Sequence, residues 1–238
     1  MTGTRRLARV AGLLYLIVAL TAVFAELVRS RIVAPGDAAA TADSIRASAT
    51  LFRVGFVTDL VQATCFLLTA MLLYQLLRHV NRPVAAAMVT FVAVSVAIMC
   101  LNSLSQLAAL LLATGDRYPS ALGQAGSDAL VLLFTDLRHD GFLIAQLFFG
   151  LWLLPLGYLV VRSGYVPKVL GVLLAAGGVG YLVDLFAQFL APGVADRLAP
   201  FALVPATIGE VAFVAWLLVK AVRVPATGST RLLTGTTP

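Results

Sequence analysis

Charge is scarce in this chain. Of its 238 residues only 12% are charged against 61% hydrophobic, and the mean hydropathy is +0.98. A soluble domain averages about 25% charged and 45–50% apolar residues, so the composition excludes that class and leaves a membrane protein. Cysteine is nearly missing: Cys65 and Cys100 each stand inside an apolar run, which rules out a disulfide framework or a CxxC motif and leaves small buried hydrophobes. With two histidines, His79 and His139, the chain cannot supply the paired axial ligation of a membrane b-type cytochrome. Lys220 falls at the end of the last apolar run, so a mid-helix retinal lysine is missing too. There is no P-loop, no GxSxG and no HExxH. The formal net charge of +6 would suit nucleic acid, but the basic residues lie in short clusters between apolar runs rather than along one face.

What the chain has in quantity is long apolar runs. They predict an all-α polytopic transmembrane bundle of six spans, at about 11–29, 51–77, 84–113, 139–161, 168–191 and 201–222, all within one domain covering 11–223. The first run follows Arg5, Arg6 and Arg9. Its length exceeds the 7–15 residues of a signal-peptide core, so it reads as an uncleaved first span. After it, Pro35 and Gly36 make a turn, and Asp37 is placed to cap a short Ala-rich surface helix before the second span. Residues 128–137 read as a separate apolar segment too brief to cross, and residues 224–238 as a disordered polar tail.

Orientation follows from the basic residues. Arg5, Arg6, Arg9, Arg78, Arg82, Arg162, Lys168, Lys220, Arg223 and Arg231 fall in one set of connections and the other seven in the opposite set. No Asp or Glu lies in the first set. The positive-inside rule then puts both termini in the cytoplasm of a plasma-membrane protein.

An acid in such runs is costly and is a functional-site hypothesis by default. Asp184, in the 24 residues between Pro167 and Pro192, is the clearest case. With the topology above, Glu26, Asp59, Asn102, Asp184, Gln188 and Glu210 all fall in the outer half of the bundle. Spacing by three and four places them on shared faces with small residues: Gly12, Tyr15, Ala19, Ala22 and Glu26 on the first helix, and Gly177, Tyr181, Asp184 and Gln188 on the fifth. Asp59 has Arg53 as a candidate partner and Glu26 has Arg29, while Tyr15 suits packing. The expectation is an outward-facing polar, acidic pocket that binds a small cation, a proton or a polar ligand. A non-catalytic accessory or sensory subunit is the first alternative. The second is a metal-dependent hydrolase with His139 beside Asp59, Asp184 and Glu210. The sequence leaves the cofactor open, and the partners are the lipid bilayer and either a second copy or another membrane protein, not nucleic acid.

Several motifs resemble one family. They are Gly36-Asp37-Ala38-Ala39-Ala40-Thr41-Ala42, Leu51-Phe52-Arg53 and Asp59-Leu60 near the start, and Gly141-Phe142-Leu143-Ile144, Phe148-Phe149-Gly150-Leu151 and Leu156-Gly157-Tyr158-Leu159 in the middle. The most recognisable are Ser163-Gly164-Tyr165-Val166-Pro167-Lys168-Val169-Leu170-Gly171-Val172-Leu173-Leu174 and Gly180-Tyr181-Leu182-Val183-Asp184. Together they resemble the bacterial integral-membrane family catalogued as domain of unknown function 4386, over about 7–222. The resemblance implies a bacterial multi-pass membrane protein and assigns no catalytic residues.

Overall fold

The computed structural model describes residues 2–222. Their regular structure is all helical: α1 (Thr2–Ile32), α2 (Ala38–Ala47), α3 (Ala49–Leu77), α4 (Arg82–Thr114), α5 (Arg117–Leu122), α6 (Gln124–Ser163), α7 (Lys168–Leu190) and α8 (Pro192–Val219). Local chemistry sets the breaks. Gly36 takes φ +77° in the turn after α1, and Asp37 accepts the Ala40 amide at 2.9 Å to cap α2. Asn81 caps α4 in the same way, with its side chain on the Val84 amide. Gly164, at φ +68°, closes α6, and Pro167 keeps the following chain extended before α7 begins. The polar tail expected over 224–238 lies outside the described residues.

Six of these helices, α1, α3, α4, α6, α7 and α8, are long and apolar enough to cross a membrane. Segment 128–137 is not separate from the fourth of them. It is the first part of α6, which runs unbroken for 40 residues, or about 60 Å. No proline interrupts it before Pro155, and its buried Val131 and Thr135 continue the inward face. About 30 Å suffices for the hydrocarbon core, so α6 projects well beyond it. The projecting part carries α2, whose Thr41, Ala42 and Ile45 are buried. Arg46 on α2 ties the two together by bonding Asp43 at 2.6 Å and Asp128 at 3.2 Å. The Asp43 hydrogen bond, foremost, holds the Arg46 guanidinium above its ordinary pKa, and Asp128 adds to it.

The six long helices form a closed ring in chain order, α8 returning to α1. Neighbours run antiparallel. Phe91 meets Phe148, Asn102 meets Gly141, and Ser127 bonds the Leu112 carbonyl along α4 and α6. Both ends of the described chain therefore lie on one face, here called the basic end. Small residues make the tightest seams. Added Cβ atoms at Gly150 and Gly178 would each come within 2.8 Å of the other's carbonyl oxygen across α6 and α7. At Gly177 and Gly180 they would meet Ala206 and Ala202 of α8.

Two apolar clusters result. The larger surrounds Trp152 and draws on every crossing helix, from Ala8 and Leu217 up to Val18, Phe66 and Val92. The smaller joins Val28, Ile45, Phe52, Ala109 and Val131 at the opposite end. Between the two clusters, α1, α3, α4 and α6 bring together polar side chains, among them Glu26, Asp59, Gln62, Asn102 and Arg138.

Candidate functional site

That gap holds a charged network. Asp59 of α3 is its centre. Its Oδ2 accepts Arg138 Nη2 of α6 at 2.8 Å, and its Oδ1 accepts Arg29 Nη1 of α1 at 3.4 Å. Arg29 also donates to Glu26, at 2.8 Å from Nη2, while Arg138 Nε donates to Gln106 Oε1 of α4 at 2.9 Å. Asn102 Nδ2 donates to the Arg138 carbonyl at 2.7 Å, seated where Gly141 leaves room for it. The side chains of Asp59 and Arg138 are only 11% and 12% exposed, whereas that of Glu26 is 70% exposed. The pair is a buried ion pair and Glu26 is its accessible edge.

An open cavity of about 430 Å³ lies against this network. Glu26, Arg29, Asp59, Gln62, Asn102 and Arg138 give it a polar wall, and Val23, Leu27, Met99 and Phe142 an apolar one. Along the helices, Arg9 to Arg29, Arg78 to Asp59 and Arg82 to Asn102 each span about 30 Å. The network thus stands near the far boundary of a hydrocarbon core of about 30 Å measured from the basic end.

The other two acids are elsewhere. Asp184 Oδ2 of α7 accepts Gln146 Nε2 of α6 at 2.7 Å, and the same amide reaches the Tyr181 carbonyl at 3.3 Å. Glu210 of α8 accepts the phenol of Tyr15 from α1 and, at 3.2 Å, that of Tyr181. From the basic end, Asp184 lies about 24 Å up α7 and Glu210 about 15 Å up α8.

Several sequence expectations change accordingly. Glu26, Asp59 and Asn102 share one cavity, but Asp184, Gln188 and Glu210 do not line it. The wall is not acidic, because two guanidiniums match its two carboxylates. Asp59 pairs with Arg29 and Arg138 rather than Arg53, which is exposed on the other face of α3. Tyr15 is a hydrogen-bond donor to Glu210, not packing alone. His139 is exposed and apart from the acids, and no group of three or more His, Cys, Asp or Glu among the described residues is placed to hold a metal. The proposed hydrolase therefore lacks its constellation. Sequence reasoning passed over Arg138 as a site member; it placed Arg29 only as the partner of Glu26, Tyr181 only on the face of Asp184, and Gln106 and Gln146 only among the embedded polar groups. The available signal for Arg138 was its place one helical turn before Phe142, on a face with Gln146.

No solved structure matches the chain. A stretch of 77 residues is 38% identical to an uncharacterized protein of Archaeoglobus fulgidus, a stretch that makes up 32% of this chain and 44% of that protein. The chain thus spans less than half the length of that relative. The profile of the family described as Domain of unknown function (DUF4386) matches residues 10–221, nearly the whole ring of helices, and the chain belongs to that family.

Proposed function

We propose that this multi-pass membrane protein binds a small amphipathic molecule in the cavity between α1, α3, α4 and α6. The observation that carries the reading is the pairing of a charge-balanced polar wall with an apolar one in a single open space of about 430 Å³. Sites for small molecules are mostly apolar with a few placed polar groups that fix orientation. Because Arg29 and Arg138 offset Glu26 and Asp59, a head group of net charge would leave one sign unmatched. A zwitterionic or dipolar head would meet Glu26, the exposed member, and Gln62, while its apolar body lies on Val23, Leu27, Met99 and Phe142. Binding is favoured over passage through the bundle, since the cluster around Trp152 is packed with large buried side chains below the site. We place the chain in the plasma membrane of a bacterial cell, its basic end cytoplasmic, on the distribution of Lys and Arg.

The test is thermal unfolding of the purified protein in lipid nanodiscs, with short-chain amphiphiles below their micelle concentration. Three of equal chain length are compared: a phosphocholine, a sulfate and an alkylammonium. The phosphocholine should raise the melting temperature most. Met99→Trp, which fills the cavity, should abolish that rise. Equal effects of the three heads, or an undiminished rise in Met99→Trp, would overturn the reading.

A further inference from the structure

The basic end carries a second site, at the opposite end of the bundle from the cavity. α1 enters the ring through Arg5, Arg6 and Arg9, all three exposed. With Val10 and Leu13 they line an open cleft of about 510 Å³. No ion pair among the described residues includes any of the three. Acids that could pair with them are remote. Glu26 is the first acid of the chain, about 26 Å up α1 from Arg9, and Glu210 is the last, about 15 Å up α8. The connections that share this end, 78–81 and 164–167, hold no Asp or Glu. Three like charges within little more than one helical turn repel one another, so the cluster calls for an anion from outside the chain.

We propose that this cleft binds an anionic phospholipid of the leaflet at the basic end, its phosphate on Arg5, Arg6 and Arg9 and an acyl chain along the outer face of α1. Guanidinium donors pair with phosphate oxygens two at a time, and a lipid of net negative charge brings the missing counter-charge. A zwitterionic lipid carries its own cation and leaves one arginine or more unmatched. The apolar half of the cleft argues for a lipid rather than a free phosphate. Arg6, Val10, Leu13, Ile17 and Leu20 follow at alternating steps of four and three, which makes one stripe along the helix. Val10, Leu13 and Leu20 on that stripe are 42%, 52% and 61% exposed. From Val10 to Leu20 it rises about 15 Å, half of a hydrocarbon core of about 30 Å and so the depth of one leaflet. The opposite face of α1 is closed against the ring. Ala8 and Ala11 are fully buried there, and an added Cβ at Gly12 would stand 2.9 Å from Leu217 of α8. The stripe therefore cannot turn inward, and the arginines are held at the level where basic clusters attract anionic head groups.

Native mass spectrometry of the full chain, released from nanodiscs of phosphatidylglycerol and phosphatidylcholine in equal parts, counts the lipids it retains. The wild type should retain phosphatidylglycerol several-fold over phosphatidylcholine. Arg5→Gln/Arg6→Gln/Arg9→Gln should lose that preference. Arg78→Gln/Arg82→Gln/Arg162→Gln, which removes the same charge from exposed positions at the same end, should keep it. No preference in the wild type would overturn the proposal, and so would equal loss in the two variants, which would mark a diffuse field rather than a site. Dihexanoyl phosphatidylglycerol should displace the retained lipid, and glycerol phosphate at equal concentration should not. Equal displacement by the two would leave an anion site with no place for a chain, and would overturn the lipid. Should the first variant fail to insert, the wild type is irradiated with phosphatidylglycerol that carries a diazirine in its acyl chain. The adduct should map between Val10 and Leu20, and an adduct found only on other helices would refute the site. None of these readouts involves the outer cavity, so the two readings stand or fall apart.

Discussion

At the scale of single residues, Asp59 decides the character of the outer site. Two guanidiniums reach one carboxylate that is mostly withdrawn from solvent. Removing one member of a buried ion pair leaves the other charge uncompensated, at a cost of roughly 3–5 kcal/mol. Asp59→Asn strands both arginines and should be destabilised by about that amount in reversible unfolding of the purified protein. Arg138→Gln should cost less, because Arg29 still faces Asp59. Glu26→Gln should change stability by no more than about 1 kcal/mol, since its exposed pair with Arg29 is screened by solvent. A ranking with Glu26→Gln as the most harmful would show that the network is not organised around Asp59. This is also where the sequence was least legible. An intramembrane acid announces itself, but its partner does not, because Arg53 is near in sequence and Arg138 is near only after the ring closes. Asn102 was visible as an embedded amide. That it rests on Gly141 and holds the Arg138 backbone depends on the register between α4 and α6, which periodicity within each helix leaves undefined.

At the scale of elements, glycine spacing controls how closely the helices approach. Gly180 is the most demanding position: a Cβ there would stand 1.8 Å from the Ala202 carbonyl oxygen, an atom of backbone that cannot rotate away. Gly193, in the first turn of α8 and with nothing within 4 Å of an added Cβ, is the control. Gly180→Ala should therefore push α8 off α7 and lower stability by about 1–3 kcal/mol or more, while Gly193→Ala is tolerated. Circular dichroism melts of both variants check the difference. The same displacement would carry Glu210 away from Tyr181, so Gly180→Ala should disturb the deeper polar group before it disturbs Asp59. The helices themselves were readable from their apolar length and from Pro167, Pro83 and Asp37 at their starts. The exception was α6. A stretch containing Asp136, Arg138, His139 and Asp140 resembles a boundary by composition, yet nothing in it breaks a helix. Its polar residues divide instead between an exposed face, with Asp136, His139 and Asp140, and Arg138, whose side chain is only 12% exposed.

At the scale of the whole molecule, an even number of crossing helices and an antiparallel ring put the two ends of the described chain on one face. The distribution of charge says which side of the membrane that face should occupy. Arg78, Arg82, Arg162 and Lys168 cluster at the basic end, whereas Asp43, Asp116, Asp128 and Asp136 lie towards the other, around α2 and the start of α6. Retention of Lys and Arg in the cytoplasm acts on such short connections, and acids add little to it. With the proposed orientation the cavity opens on the outer side, where a ligand arrives without crossing the bilayer. Cysteine labelling in intact cells checks this, after Cys65 and Cys100 are replaced by alanine. Ser120→Cys, in the exposed α5, should react with a membrane-impermeant thiol reagent from outside. His79→Cys, exposed between α3 and α4, should react only once the cells are opened. The opposite pattern would turn the bundle over, moving the cavity to the cytoplasmic side while leaving its internal geometry as described.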